Sequence, residues 1–230
     1  MSISKITILE SNAPNNMGLA ELPPIPENTI VSGKPVQHGY RYYEEPETGF
    51  RAGIWACTAF QSITEPHAVH EFMHLIEGSV TIVHEDGSEL VVNAGEQFFI
   101  PKGAIRSWKQ TGSVKKYYMI FPDPSNTPPG SSGPRRAFKI ETGGDAAIFK
   151  DATDQYSIGV WTPAAEGRDP KPIAATEMLI PLEGSLALRG ADADITVAPG
   201  EVALAPADAP FGWKSSGPVK VLYCAYERKK

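Results

Sequence analysis

Three side chains able to hold a metal or move a proton stand close together in the first half of the chain: Glu65, His67 and Glu71. Their separations are even numbers, and on a regular β-strand residues an even number apart share one face. If that face lines a barrel, two carboxylates and an imidazole converge where there is little water. Such a cluster is costly unless a cation neutralises it. Two cations could do so: one divalent metal taking oxygen and nitrogen donors, such as Mn or Fe(II), or the guanidinium of Arg106. Arginine keeps its proton at any useful pH and is no metal ligand, but it pairs well with a carboxylate, either Glu71 or Glu65 or that of a substrate. Trp108 lies two residues from Arg106 on the same face. Arg106, Trp108 and Glu71 are therefore the expected ligand-binding set, and Glu65, His67 and Glu71 the expected metal set. His70 and His74 differ in parity from Glu71, which predicts that they lie exposed or at an interface on the outer face, unless a β-bulge shifts the phase.

The elements that must position these groups read as short strands. Ser79 to Val83 alternates with a β-branched bias, Asp86-Gly87 supplies a hairpin turn, and Glu89 to Val92 returns. Phe98 to Ile100 ends at Pro101-Lys102-Gly103, and Val114 to Phe121 is a further strand rich in aromatics. No long 3.6-residue period is present, which argues against a helical bundle. Many short strands with Gly and Pro turns imply a sandwich or a barrel.

The pattern occurs twice. Gly53, Trp55, Glu71, Glu77 and Gly78 recur 106 residues later as Gly159, Trp161, Glu177, Glu183 and Gly184. After one deletion, Gly95, Pro101, Trp108, Gly112 and Val114 recur 105 residues later as Gly200, Pro206, Trp213, Gly217 and Val219. A nearly constant offset across so many positions marks a duplication. The chain thus divides into an irregular arm over 1–29, a first barrel over 30–122, a proline-rich linker over 123–135 and a second barrel over 136–228. Pro122 to Pro134 holds five prolines, which excludes a helix or a central strand there. In the second copy Lys171 replaces Glu65, Ile173 replaces His67 and Phe211 replaces Arg106, leaving Glu177 alone. This predicts a polar pocket in the first barrel only, with the second supporting it or forming an interface. The recurring tryptophans suggest a shared packing role.

Composition narrows the function classes. A net charge of −6 with a pI near 5.4 gives no reason to expect nucleic acid or an anionic membrane as a partner. Cys57 and Cys224 make neither a disulfide framework nor zinc-ligand spacing, and both are expected to be structural. The opening Met1-Ser2-Ile3-Ser4-Lys5-Ile6 lacks the pattern of a secretory leader, and no apolar run approaches the ~18 residues that span a bilayer. A cytoplasmic protein with a small-molecule ligand is expected, with the arm or the second barrel available for a homodimer contact.

The first repeat resembles the cupins, whose signature stretches are G-x5-H-x-H-x3-4-E-x6-G and G-x5-P-x-G-x2-H-x3-N. Glu71 and Gly78 fit the first stretch with His67 ahead of them, and Glu65 stands where the first histidine would be. Gly95, Pro101 and Gly103 fit the second, with Arg106 in the place of the last histidine and Gln110 in that of the asparagine. With Gly53-Ile54-Trp55 and the ending Lys115 to Phe121, the repeat is similar to the subfamily named after (S)-ureidoglycine aminohydrolase and the ethanolamine-utilisation cupins. The resemblance covers about residues 45–121 well and 150–226 more weakly. It implies an all-β fold, two RmlC-like jelly-roll barrels in tandem (a bicupin), often with one metal on three histidines and the glutamate. Two function classes follow. One is metal-dependent chemistry on a small polar or ureide-like metabolite, with Glu65, His67 and Glu71 as ligands and Arg106 orienting the substrate. The other is a non-catalytic module that binds a small anion or sugar, with Arg106 in place of the metal.

Overall fold

The fold is described from a computed structural model covering residues 5–123, 135–143, 147–163, 167–191 and 193–229. Its regular structure is β throughout, apart from two single-turn 3-10 helices at Pro14–Asn16 and Glu27–Thr29. Two compact units result, one of residues 11–140 and one that joins residues 1–10 to 141–230. The linker expected over 123–135 lies almost wholly outside the described residues.

The first unit is two antiparallel sheets. One runs Phe138–Lys139, Gln97–Ile100, His70–Glu77, Val114–Phe121, Phe50–Cys57, Gln37–Glu45 and Ala20–Glu21. The other runs Glu89–Asn93, Ser79–His84, Ile105–Gln110, Phe60–Ser62 and Ile30–Gly33, with Glu65–Pro66 also pairing to Ile105–Gln110. The expected hairpin is present: Ser79–His84 pairs with Glu89–Asn93, and Gly87 takes the positive φ that the turn needs. Val80, Ile82 and His84 are buried while the residues between them are less so, the period of two that the sequence shows. The barrel interior is filled by Met73, Leu75, Val80, Ile82, Phe98, Ile100, Trp108 and Val114.

The second unit repeats this plan. One sheet runs Thr7–Ile8, Ala203–Ala205, Ala175–Glu183, Lys220–Glu227, Tyr156–Trp161 and Ala147–Lys150; the other runs Arg168–Pro172, Pro210–Ser215, Leu186–Arg189 and Asp194–Val197. The duplication is visible in the register. Glu71 faces Ile100 and Ile120, and Glu177 faces Ala205 and Ala225. Trp108 faces Ile82, and Trp213 faces Leu188. Two recurring glycines have a common physical cause: Gly78 and Gly184 both adopt positive φ, and a Cβ at either would collide with a backbone carbonyl, of Ser113 or of Pro218.

The arm is less irregular than expected. Ala20–Glu21 adds to the first unit's sheet beside Gly39 and His38, whereas Thr7–Ile8 extends the second unit's sheet against Leu204 and Ala203. Phe138–Lys139, just ahead of the second repeat, caps the corresponding strand of the first unit at Phe99 and Phe98. Each repeat's leading strand therefore completes the sheet of the other repeat. Pairing of this kind removes an exposed edge from each sheet.

Ile6 and Leu9 flank Thr7–Ile8, are almost fully buried, and anchor this strand; Ile6 belongs to the second unit's core. Ile6→Ala should cost about 2–5 kcal/mol in a denaturant melt, although it lies some 140 residues before the next strand of the sheet it stabilises.

Candidate functional site

Glu71 is the second residue of the strand His70–Glu77, which lies between Gln97–Ile100 and Val114–Phe121. Glu71, Met73 and Leu75 point into the barrel. Glu65 and His67 are not on the same strand: Glu65–Pro66 pairs with Arg106 and Ile105, after which the chain leaves the ladder until His70. His67 is held instead by two backbone bonds, donating to the Ala104 carbonyl at 2.9 Å and accepting from the Gly103 amide at 2.7 Å. The expectation of one continuous strand face is corrected accordingly. His67 and Glu71 still meet, Nε2 to Oε2 at 3.2 Å, while Glu65 stays half-buried opposite Arg106.

The cation bound to Glu71 is one the sequence reading did not consider. Lys116 places its ammonium 2.9 Å from Glu71 Oε1 and 2.9 Å from the Met73 sulfur. It also lies 4.6 Å from the ring centre of Trp108 and 4.9 Å from that of Trp55, and those two indoles meet edge to face. Both members of the pair are buried. Burial pushes the Glu71 carboxyl up, but Lys116 and His67 outweigh it and hold the group well below the usual carboxylate range. Burial draws the Lys116 amine down, and Glu71 opposes this. A signal for Lys116 was present: Val114, Lys116 and Tyr118 alternate on one face of their strand, and Val114 is core. A bulge opposite Lys115/Lys116 lets Lys115 pair with exposed Glu77 while Lys116 turns inward beside Leu75.

Arg106 is brought to the site but does not play the part expected of it. Its guanidinium donates to His67 Nδ1 at 2.8 Å rather than forming a bidentate pair with a carboxylate. Since arginine only donates, that nitrogen must be the bare one, and a neutral ring carries its proton on Nε2, toward Glu71. Burial draws His67 toward this neutral form. Among the described residues the buried Arg106 Nε has no partner, while His67 Nε2 has only its 3.2 Å contact with Glu71. Trp108 donates its indole N–H to Gln110, whose amide in turn donates to the carbonyls of Cys57, Thr58 and Gly112. Trp108 is thus locked in place as a wall.

His70 and His74 lie on the opposite face from Glu71, but neither is exposed. His70 stacks between Phe99 and Phe121 and accepts from the Lys102 amide, and His74 stacks on Tyr117 and bonds Gln97. Both faces of this strand are buried, which the parity rule, assuming one wet face, does not foresee. Cys57 and Cys224 are buried free thiols, and burial pushes Cys57 up to about 11.

The donor set does not suit a metal. Among the described residues no three His, Cys, Asp or Glu side chains come together as a metal-holding group. His67 Nε2 and Glu71 are two donors, but the ammonium of Lys116 sits on one and Arg106 is bonded to the ring of the other. Two fixed positive charges at the fourth-ligand side repel a divalent ion rather than help to hold it.

The second unit also differs from expectation. Its interior holds a cavity of about 360 Å³, lined by Val160, Trp161, Arg168, Ile173, Glu177, Phe211, Trp213 and Tyr223. Glu177 is not alone there. Arg168 lies 4.3 Å from the Trp213 ring centre and 5.3 Å from that of Phe211, and donates to the Phe211 carbonyl at 3.2 Å. Lys171, which replaces Glu65, is exposed. Burial pushes Glu177 up to about 7, against a smaller opposing pull from Arg168.

Comparison with known proteins agrees with this architecture. Residues 44–118 match the EutQ-like cupin domain. No curated protein matches the sequence. Among solved structures, a protein of unknown function from Pseudomonas syringae pv. tomato is 19% identical at a TM-score of 0.73, covering 96% of this chain and 99% of its own. A cupin 2 conserved barrel domain protein from Leptotrichia buccalis is 15% identical at 0.61, covering 91% of this chain and 98% of its own. A bacterial pirin from Escherichia coli in complex with nickel(II) is 14% identical at 0.53, covering 97% of this chain and 100% of its own. The fold is the cupin fold, a tandem of jelly rolls, and residues 44–118 are similar to the EutQ-like cupin domain. No described helix is long and apolar enough to cross a membrane.

Two stability predictions follow from these charges. Lys116→Ala strands Glu71 and should cost about 3–5 kcal/mol at neutral pH. Because the folded Glu71 carboxyl is depressed, its contribution is complete above the ordinary value of 4.5 and fades as the pH falls below it. The gap between wild type and variant should therefore narrow in melts at pH 3, and Glu71→Gln combined with Lys116→Met should recover most of the loss. Glu177 has the opposite sign. Its folded value is raised, so stability is full below 4.5 and is lost as the pH rises through about 7. Glu177→Gln should stabilise by on the order of 3 kcal/mol at pH 8 and by little at pH 4.5.

Proposed function

We propose that the first barrel is a metal-free binding site for a small metabolite bearing a carboxylate or a comparable oxyanion. The observation that carries this reading is the ammonium of Lys116 lodged on Glu71, in a site where the guanidinium of Arg106 also points inward. Among the described residues the buried Arg106 Nε has no partner, and a buried donor without an acceptor costs about 1–3 kcal/mol. An incoming oxyanion would satisfy it, with Trp108 as the wall beside it. The net charge of −6 keeps nucleic acid and anionic membranes out of consideration as partners.

A second reading keeps the metal and the chemistry on a ureide-like metabolite. The match to the EutQ-like domain and the nickel-bound neighbour favour it, as does His67 Nε2 aimed at Glu71. It requires Lys116 to leave Glu71, and a released ammonium would still lie inside the barrel.

Metal analysis of protein purified without chelator separates the two. The anion reading expects far less than one transition-metal ion per chain, and calorimetric binding of small carboxylates. Arg106→Met should weaken that binding roughly ten- to 150-fold, the loss of one charged hydrogen bond worth about 1.5–3 kcal/mol. Arg106→His with Lys116→Met, which removes both cations and adds an imidazole, should gain affinity for Mn or Fe(II), seen as a metal-dependent rise in melting temperature. A stoichiometric metal in the wild type would overturn the anion reading.

A further inference from the structure

The second barrel has the same plan as the first, with one difference that bears on ligands. Lys116 is replaced by Val221 and Arg106 by Phe211, so the two long cationic side chains that occupy the first interior are gone. A space of about 360 Å³ is left, within the range of small-molecule sites. Its walls are aromatic: Trp161 and Trp213 meet edge to face at 4.7 Å, and Phe211 lies against Trp213. A cation has returned from another strand. Arg168 belongs to Arg168–Pro172, at the position Ser62 holds in the first repeat, and its guanidinium rests on the Trp213 and Phe211 rings.

The polar atoms in this cavity are unsatisfied in a way that selects a ligand. Arg168 Nε and Trp213 Nε1 are buried donors with no partner among the described residues. Both belong to residues that line the cavity, and both call for an acceptor oxygen. Among the described residues, the only acidic one lining the cavity is Glu177. It makes no ion pair within 4 Å among the described residues, unlike its counterpart Glu71. Aromatic faces suit a flat body, and a guanidinium held on aromatic rings presents its edge to a carboxylate.

We propose that the second barrel is a separate binding site for a small planar monocarboxylate, whose carboxylate is held by Arg168 and the Trp213 N–H, whose flat body lies among Trp161, Phe211 and Trp213, and whose oxygens accept a hydrogen bond from the protonated Glu177. The site needs no metal. It is independent of the reading of the first barrel, since none of its residues belongs to that barrel.

The charge logic fixes how affinity varies with pH. Among the described residues, the ionisable groups facing Glu177 are Arg168, from Arg168–Pro172, and Tyr223, from Lys220–Glu227; the facing positions on Ala203–Ala205 and Pro210–Ser215 are Ala205, Phe211 and Trp213. Of these only Glu177 titrates near neutrality, at about 7. An ionised Glu177 would repel the anion, so binding takes place with the acid form, and affinity must fall as the pH rises through 7. For binding to the acid form alone, the dissociation constant should rise about tenfold between pH 6 and pH 8.

The experiment is calorimetric titration of the full chain with benzoate at pH 6, 7 and 8. Benzoate should bind with the dissociation constant rising about tenfold over that range. Arg168→Met should weaken it by about tenfold or more, and Arg168→Lys, which keeps the charge, should retain part of it. Glu177→Gln should bind at pH 8 as it does at pH 6. In an Arg106→Met background, where carboxylate binding in the first barrel is weakened, benzoate binding should persist with the same pH dependence and the same sensitivity to Arg168→Met. Thermal melts of each variant confirm that the second unit is folded. Benzoate binding that is indifferent to Arg168→Met, or that is lost in Arg106→Met, would place the ligand elsewhere and overturn the proposal. So would failure of benzoate and of a panel of small aromatic and unsaturated monocarboxylates to bind at about 1 mM, the weak limit of a useful site.

Discussion

The contact between Lys116 and Glu71 governs the first barrel. An isolated carboxylate in that interior would be driven to its neutral form, and an isolated ammonium likewise. Together, at 2.9 Å and flanked by two indoles, both remain charged where neither would alone. The surrounding structure is arranged to keep them so. Trp108 is pinned through Gln110 to three backbone carbonyls, Trp55 donates to Gln37, and the register shifts at Lys115/Lys116, where Lys116 turns inward to Glu71. Replacing such a pair by apolar groups often costs little, so its presence is weak evidence for a stabilising purpose. Its consequence is electrostatic: it largely cancels Glu71, so that Arg106, opposite the half-buried Glu65, has no carboxylate bonded to it.

Much of the fold was legible in the sequence because repetition and alternation are direct prints of geometry. The offset of 105–106 residues appears unchanged in the strand registers of Glu71 and Glu177, and of Trp108 and Trp213. Hairpin and strand ends fell where Asp86-Gly87 and Pro101 placed them. The exchange of leading strands was not legible. Thr7–Ile8 and Phe138–Lys139 are two residues long, and their partners lie far away in sequence, so no local pattern announces them.

The site was only half legible, and the reason is physical. A signature scan finds residues at remembered ligand positions, so it found Glu65, His67, Glu71 and Arg106, but it is blind to a charge that enters from another wall. Lys116 and Arg168 both do this. Each could have been found by asking which inward positions of every strand carry a charge, since an inward charge among apolar neighbours demands a partner. The same blindness to neighbours misplaced His70 and His74: parity gave the correct face, but a face away from the barrel interior need not be wet.

The two barrels can be understood as two solutions to one inherited constraint, a glutamate pointing into an aromatic interior. In the first, a lysine from the adjacent strand reaches the carboxylate directly, so Glu71 stays ionised and two cationic side chains, Lys116 and Arg106, enter the interior. In the second, that position is valine and no lysine arrives. The cation comes instead from the opposite sheet, on Arg168, and settles on the indole rather than on Glu177. A buried carboxyl with no ion pair among the described residues has a cheaper course than ionising, which is to keep its proton, and its value near 7 reflects this. Space and unspent hydrogen-bonding capacity are then found together in the barrel whose signature residues are gone. Loss of a family's ligand pattern is therefore not the loss of a site, because removing long charged side chains from a closed barrel is also what opens a cavity in it.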